Sequence, residues 1–192
     1  MDMMRRRAVM SMDGSLRGLL YRLPGPAVFD ASMSAIIDTG TVLLPTDRSL
    51  SILADLTPGE MPGAGYMFYA GNHSSPWYWL GLEYRDTTQD WSVGGYSDRL
   101  PLTNCQAGRR CRLAIRRSAG SNALTVACYD GTTTVSGTLT VSSISTDPLV
   151  LGGYSTSSSE LVYKGRIDEF RAYSRRLTDR EVSRYLTALP TT

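Results

Sequence analysis

Histidine is almost absent from this chain of 192 residues, His73 being the only one. A serine–histidine–aspartate triad would have to draw its base from that single imidazole, which argues against this chemistry. Cysteine is scarce too, and three residues cannot all pair within one chain. Cys105 and Cys111 bracket the segment CQAGRRC and could close a small loop, whereas Cys128 falls in an apolar run and reads as a small core residue. Free thiols are the commoner state in a reducing compartment, and the sequence leaves the bridge open. With no CxxC and no His/Cys cluster, a zinc site is not expected.

Long apolar runs are missing as well. None approaches the roughly 18 residues of a membrane-spanning helix, so no membrane insertion is expected. The start, MDMMRRRAVMSMDGSLRG, carries charge without the apolar stretch that follows it in a secretory leader. The reading is of a chain made and left in the cytoplasm. Charge of one sign is also lacking: the formal net charge is +2, and Arg5, Arg6 and Arg7 against Asp2 already account for it. The body is neutral, which argues against a nucleic-acid-binding face. Arg109, Arg110, Arg112, Arg116 and Arg117 read as a solvated strand face.

What is present is period-two alternation divided by turn residues. In Ser49–Leu56, Leu50, Ile52, Ala54 and Leu56 alternate with their neighbours, the pattern of a strand with one strongly buried face. Further strands are predicted at Tyr66–Ala70, Tyr78–Tyr84, Trp91–Gly95, Arg112–Arg116 and Leu149–Gly152, with Gly, Pro, Asn and Asp in the gaps. Asp130-Gly131 lies between two alternating runs and predicts a hairpin with a two-residue primed turn. Only the end reads as helical. Thr178 with Glu181 three residues on forms a capping box, Leu177 and Val182 take the staple positions, and Val182, Tyr185, Leu186 and Leu189 share one face. This short helix is expected to pack across a sandwich and cover its core. Pro24 and Pro26 mark a composition change, dividing residues 1–24, a basic arm with a first strand, from a single domain over 25–192.

The stretch Gly165-Arg166-Ile167-Asp168-Glu169-Phe170, continuing to Leu177-Thr178-Asp179-Arg180-Glu181-Val182, resembles the closing signature of laminin-G-like and concanavalin A-like lectin–glucanase domains. Asp38-Thr39-Gly40, the Asp130-Gly131 hairpin and Leu149-Val150-Leu151-Gly152-Gly153 follow in the order that family shows. The resemblance implies an all-β fold, a two-sheet antiparallel jelly-roll sandwich with a short C-terminal helix. It says little about function, because the same sandwich serves lectins, glycosidases, adhesion and structural proteins.

Glycosidases of this fold set two carboxyl groups about 5–5.5 Å apart on one strand face. In Arg166-Ile167-Asp168-Glu169-Phe170 the positions flanking Asp168 on its face are arginine and phenylalanine, so that pair is missing and no catalysis is expected. Calcium often accompanies the fold. Asp86, Asp90, Asp98 and Asp130 lie near turns without diagnostic spacing, so no metal or other cofactor is assigned.

The aromatic segment Trp77–Arg85 offers a binding surface. If Tyr78, Leu80, Leu82 and Tyr84 face the core, Trp77 and Trp79 share the other face with Gly81, Glu83 and Arg85, and Trp91 follows on a neighbouring strand. Exposed indoles beside polar groups suit sugar stacking or a protein hot spot, although covering loops would make them core. The arm with Arg5, Arg6 and Arg7 is read as an assembly arm held by a neighbouring subunit. An export-type fold without a leader favours a non-catalytic bacteriophage virion protein, such as a capsid decoration, head-fibre or tail component. It would engage other virion proteins or copies of itself as a homo-oligomer, with host glycans as a further class of partner. The alternatives are an extracellular carbohydrate-binding module or adhesin, and a divergent glycosidase. Replacing Trp77 and Trp79 by alanine is expected to abolish partner or glycan binding with the far-UV circular dichroism unchanged; unfolding of the variant would assign both indoles to the core.

Overall fold

The computed structural model describes residues 17–32, 35–43, 48–71, 79–95, 98–141, 147–154 and 161–188. Arg5, Arg6, Arg7 and Trp77 lie outside these residues. In chain order the elements are β1 (Leu19–Arg22), β2 (Ala27–Asp30), β3 (Ile37–Val42), β4 (Leu50–Pro58), β5 (Gly65–Gly71), β6 (Trp79–Arg85) and β7 (Asp90–Gly94). There follow β8 (Arg99–Pro101), β9 (Cys111–Arg117), β10 (Ala123–Tyr129), β11 (Thr134–Thr140), β12 (Pro148–Leu151), β13 (Lys164–Tyr173) and α1 (Asp179–Thr187). They form two antiparallel sheets. The larger runs β1-β13-β4-β9-β10-β11, with β2 also on β13, and the smaller runs β3-β12-β5-β6-β7-β8. All the expected strands are present with ends shifted by a residue or two, and the all-β sandwich is the fold.

Alternation sends Leu50, Ile52, Ala54 and Leu56 of β4 into the space between the sheets. They meet Phe68 and Ala70 of β5, Leu80 and Leu82 of β6, and Ile167 and Phe170 of β13, all buried. Excluding this apolar surface from water is the main favourable term in folding. Trp91 belongs to this interior. It is 2% exposed, with its ring centroid 5.4 Å from that of Tyr84 and 5.6 Å from that of Tyr163. The expectation that Trp91 serves as a surface contact is therefore corrected. A four-residue loop sets the register of β6 and β7 so that Tyr84 opposes Trp91, and directly opposed residues share a face.

Cys105, Cys111 and Cys128 are free, buried thiols, with Sγ of Cys105 and Cys111 3.5 Å apart. The Cys111 contact favours ionisation of Cys105, but hydrogen bonding to Cys128 and burial outweigh it and push its pKa well up. The same neighbours and burial push Cys111 up. The hairpin at Asp130 is present, but its loop is four residues long, since Tyr129 pairs with Thr134. Asp130 organises it: Oδ1 accepts from the amides and hydroxyls of both Thr132 and Thr133. A side-chain-built turn of this kind replaces the two-residue primed turn that the Asp-Gly pair suggested.

The helix starts as expected. Thr178 caps it and exchanges hydrogen bonds with Glu181, which completes the capping box. Its location differs from expectation. Val182 and Leu186 pack with Leu177 against Leu53, Ala114 and Tyr173, which are the outward residues of β4, β9 and β13. The helix therefore covers the outer face of the larger sheet and leaves the inter-sheet core to the strands.

Arginines fix the helix there, and Arg112 and Arg117 are buried, which corrects the solvated-face reading for these two. Arg116 reaches the Leu177 carbonyl and the Asp179 carboxylate at one end of the helix; Arg112 donates to the Tyr185 carbonyl at 2.6 Å at the other. Cations beside the last carbonyls and acids in the first turn also suit the helix dipole. Beneath them Asp55, 2% exposed, accepts from Arg110 Nε and Nη2 at 2.7 and 2.8 Å and from Arg112 Nε at 2.9 Å.

Removing one partner of a buried ion pair strands the other charge. Asp55→Asn is expected to destabilise the protein by about 3 kcal/mol in urea unfolding, with helix detachment visible as lost hydrogen-exchange protection of the α1 amides. A second consequence concerns pH. The Arg175 guanidinium, bonded to both Glu181 oxygens, and the Thr178 amide hold Glu181 at about 2, below its ordinary 4.5. A depressed carboxylate stabilises the fold fully above pH 4.5 and progressively less as the pH falls to about 2. The pair is partly exposed, so Glu181→Gln is expected to cost about 1 kcal/mol or less at pH 7. That difference should vanish near pH 2 when thermal unfolding of the two proteins is compared across the range.

Candidate functional site

The outer face of the smaller sheet is built from two neighbouring cross-strand rows. One row is Tyr66, Glu83, Ser92 and Pro101, and the next is Tyr69, Gly81, Gly94 and Arg99, each set opposed in register across β5, β6, β7 and β8. Tyr66 and Tyr69 are three positions apart and would point to opposite faces of a regular strand. A bulge between Tyr66 and Phe68 takes up one residue and turns both rings outward while Phe68 stays in the core.

The rows are joined by polar contacts. Tyr66 donates its hydroxyl to Glu83 Oε1 at 3.3 Å, and Arg99 Nε lies 3.1 Å from Glu83 Oε2. The Arg99 stem lies across Gly94, where an added Cβ would come within 2.5 Å of Arg99 Cγ. A glycine inside a strand marks such a close approach. Tyr154 closes the tyrosine end, its ring centroid 4.7 Å from that of Tyr69 and 5.9 Å from that of Tyr66, and Leu161 packs alongside. Burial, then the Glu83 charge, pushes the Tyr66 pKa beyond the usual phenol range; burial and then Tyr154 do the same for Tyr69. These phenols stay protonated and can donate. Ser92 Oγ is buried with no hydrogen-bond partner among the described residues. These two rows thus carry phenols, a hydroxyl, one carboxylate and one guanidinium over two glycines; Tyr69, Ser92 and Tyr66 are themselves buried at 1%, 2% and 7% exposure, and the Arg99 side chain, at 30%, is the more open member of its pair with Glu83.

Of the predicted site residues, Trp79 opens β6 opposite Gly71, its side chain lying outside what is described; Trp77 is outside altogether, and Trp91 is core. The predicted core face is confirmed by Leu80 and Leu82, and Glu83 and Gly81 fall on the outer face as expected. The sequence reading did not single out Tyr66, Tyr69 and Arg99. The strand glycines Gly81 and Gly94 were the one available signal. Two of the turn aspartates are engaged within the fold: Asp98 accepts from the distant Thr140 amide at 2.7 Å and Asp90 from the Thr88 hydroxyl at 2.6 Å. Among the described residues no cluster of three or more His, Cys, Asp or Glu is placed to hold a metal ion. Asp168 sits at a bulge in β13 and pairs with Arg166 at 2.7 Å, beside Arg110 at 3.9 Å.

No protein-family model matches the chain, and no curated protein matches it by sequence. Solved structures do. The CBM40 domain of the Ruminococcus gnavus IT-sialidase, bound to α2,6-sialyllactose, superposes with a TM-score of 0.64 at 12% identity, covering 88% of this chain and 100% of that one. The leech intramolecular trans-sialidase matches with a TM-score of 0.63 at 12% identity, and the NanB sialidase of Streptococcus pneumoniae with 0.62 at 14%. Each of these covers 90% of this chain but 28% of the sialidase, so the chain spans little more than a quarter of those enzymes. At such identities the likeness establishes the fold, a lectin-like β-sandwich of the kind found in sialidase-associated carbohydrate-binding domains. It does not single out the laminin-G or concanavalin A branch, and it lends no support to a virion role.

Proposed function

We propose that the chain is a non-catalytic carbohydrate-binding module that holds an acidic sugar on the outer face of its smaller sheet. This reverses the order of the sequence-based readings, putting the glycan-binding alternative ahead of the virion protein. The observation that carries it is the pair of rows Tyr66–Glu83–Ser92 and Tyr69–Gly81–Gly94–Arg99, where Glu83 and the buried Tyr66 hold the Arg99 guanidinium beside a glycine floor. The likeness to a whole carbohydrate-binding domain, whose structure holds a sialylated trisaccharide, supports it. Arg99 supplies the positive charge for the sugar's carboxylate. Glu83 orients that guanidinium and accepts sugar hydroxyls, and the buried Tyr66 donates to Glu83 and steadies it. The reading needs no reaction, because Glu83 is the one carboxylate in these rows and it is tied to Arg99 and Tyr66.

Titration calorimetry with α2,6-sialyllactose and with lactose tests this. Binding of sialyllactose, at least tenfold tighter than lactose, is expected, in line with a charged hydrogen bond of roughly 1.5–3 kcal/mol. Arg99→Ala should remove that preference while leaving the thermal unfolding cooperative. Equal affinity for the two sugars would sink the acidic-sugar reading, and no binding to any glycan on an array would sink the carbohydrate reading itself.

A further inference from the structure

The opposite side of the sandwich carries a concave region that owes nothing to the tyrosine face. Because α1 lies over β4 and β9, a cleft of about 480 Å³ remains between its flank and the outward residues of β13. Leu53, Tyr173, Leu177 and Ala188 give it apolar walls. The charged residues along it are unbalanced, with Arg112, Arg171, Arg175 and Arg184 set against Glu169 and Glu181. Arg175 and Glu181 satisfy each other, Arg171 pairs with Glu169, and Arg112 turns to Asp55 and the Tyr185 carbonyl. Arg184 has no partner among the described residues, and it lies at the exposed rim.

Two buried donors on this cleft are also unused. Arg171 Nε and the Tyr185 hydroxyl have no hydrogen-bond partner among the described residues. A buried donor left unpaired costs roughly 1–3 kcal/mol, so a ligand that accepts from it recovers that cost. Burial, followed by the charges of Glu169 and Asp55, keeps the Tyr185 phenol protonated. Two neutralised pairs, one uncompensated guanidinium and two idle N–H and O–H donors suit an acceptor with several oxygens and a negative charge.

We propose that this cleft binds the oxyanion of a small acidic ligand, a carboxylate, sulfate or phosphate group, between Arg171, Arg184 and the Tyr185 hydroxyl, with the ligand's body against Leu53 and Tyr173. The group can come from a free inorganic anion or from an acidic substituent on a sugar. The site stands independently of the sugar face: its residues lie on β4, β13 and α1 and include neither Arg99 nor the tyrosines of β5.

Calorimetry with sodium sulfate, galactose 6-sulfate and unmodified galactose, at ionic strength held constant with sodium chloride, tests it on the intact chain. Saturable binding of sulfate, or of galactose 6-sulfate but not galactose, is expected; which of the two binds tighter identifies the source of the group. Arg184→Ala, a change at an exposed position, and Tyr185→Phe, which keeps the ring over Arg112, should each weaken binding at least fivefold. Arg99→Ala should leave it unchanged. Heats no larger than chloride produces, retention of full affinity in Arg184→Ala, or loss of binding in Arg99→Ala would each overturn the proposal. The last would place the anion on the tyrosine face instead.

Discussion

Directly opposed residues of antiparallel strands must point to the same side, and in a sandwich that rule leaves each strand a single workable register. A slip of one residue exchanges the buried face for the solvent face along the whole strand. Once Tyr84 of β6 meets Trp91 of β7, the indole has to enter the interior, and Glu83 and Ser92 one step along have to leave it. The same rule carries across to β5 and β8 and gathers Tyr66, Glu83, Ser92 and Pro101 into one outward row. Across β5 to β8 the bulge in β5 is the single departure, and it adds a tyrosine to that side without removing an apolar residue from the other.

The two outer faces then take different roles for reasons of charge and size. On the larger sheet, Leu53, Ala114 and Tyr173 are apolar residues on the wrong side of the core, so they need a cover. The amphipathic α1 supplies it, held at one end by Arg116 and at the other by Arg112, while Asp55 pays the desolvation cost of bringing guanidinium groups beneath a helix. That face is largely consumed by its own structure, and only the flank of the helix beside β13 stays open. On the smaller sheet the outward residues are aromatic and polar, satisfied largely among themselves, and no helix of the described residues covers them.

The strands, the capped helix and the fold class were legible because each depends on local patterns: period two, turn residues, and a threonine three positions before a glutamate. The register was not legible, and with it went the fate of Trp91, since the four-residue loop between β6 and β7 has no dipeptide signature. The Asp130 hairpin shows the same limit at smaller scale. Asp-Gly marks the right place, yet Thr132 and Thr133 lengthen the turn by giving the carboxylate four donors. Arg112 and Arg116 look solvated in isolation because nothing near them in the chain announces a helix some 60 residues later. The virion reading rested on how the sequence begins, on an assembly arm at Arg5, Arg6 and Arg7 and on exposed tryptophans; the arm and Trp77 lie outside the described residues, and Trp91 is core.

The candidate site was hardest to read because its shape depends on what is small. Gly81 and Gly94 are unpromising residues for a strand, as neither contributes packing and both raise the entropy cost of ordering it. Gly94 becomes reasonable once Arg99 is seen lying across it, where any larger residue would displace the guanidinium from Glu83. The carboxylate in turn offsets the cost of holding a charged group on a half-buried surface, and the Tyr66 hydroxyl steadies the carboxylate. The arrangement is a chain of dependencies from backbone clearance to side-chain orientation. Aromatic residues, which first draw attention in the sequence, frame this surface, but the glycine clearance determines where the Arg99 charge can stand.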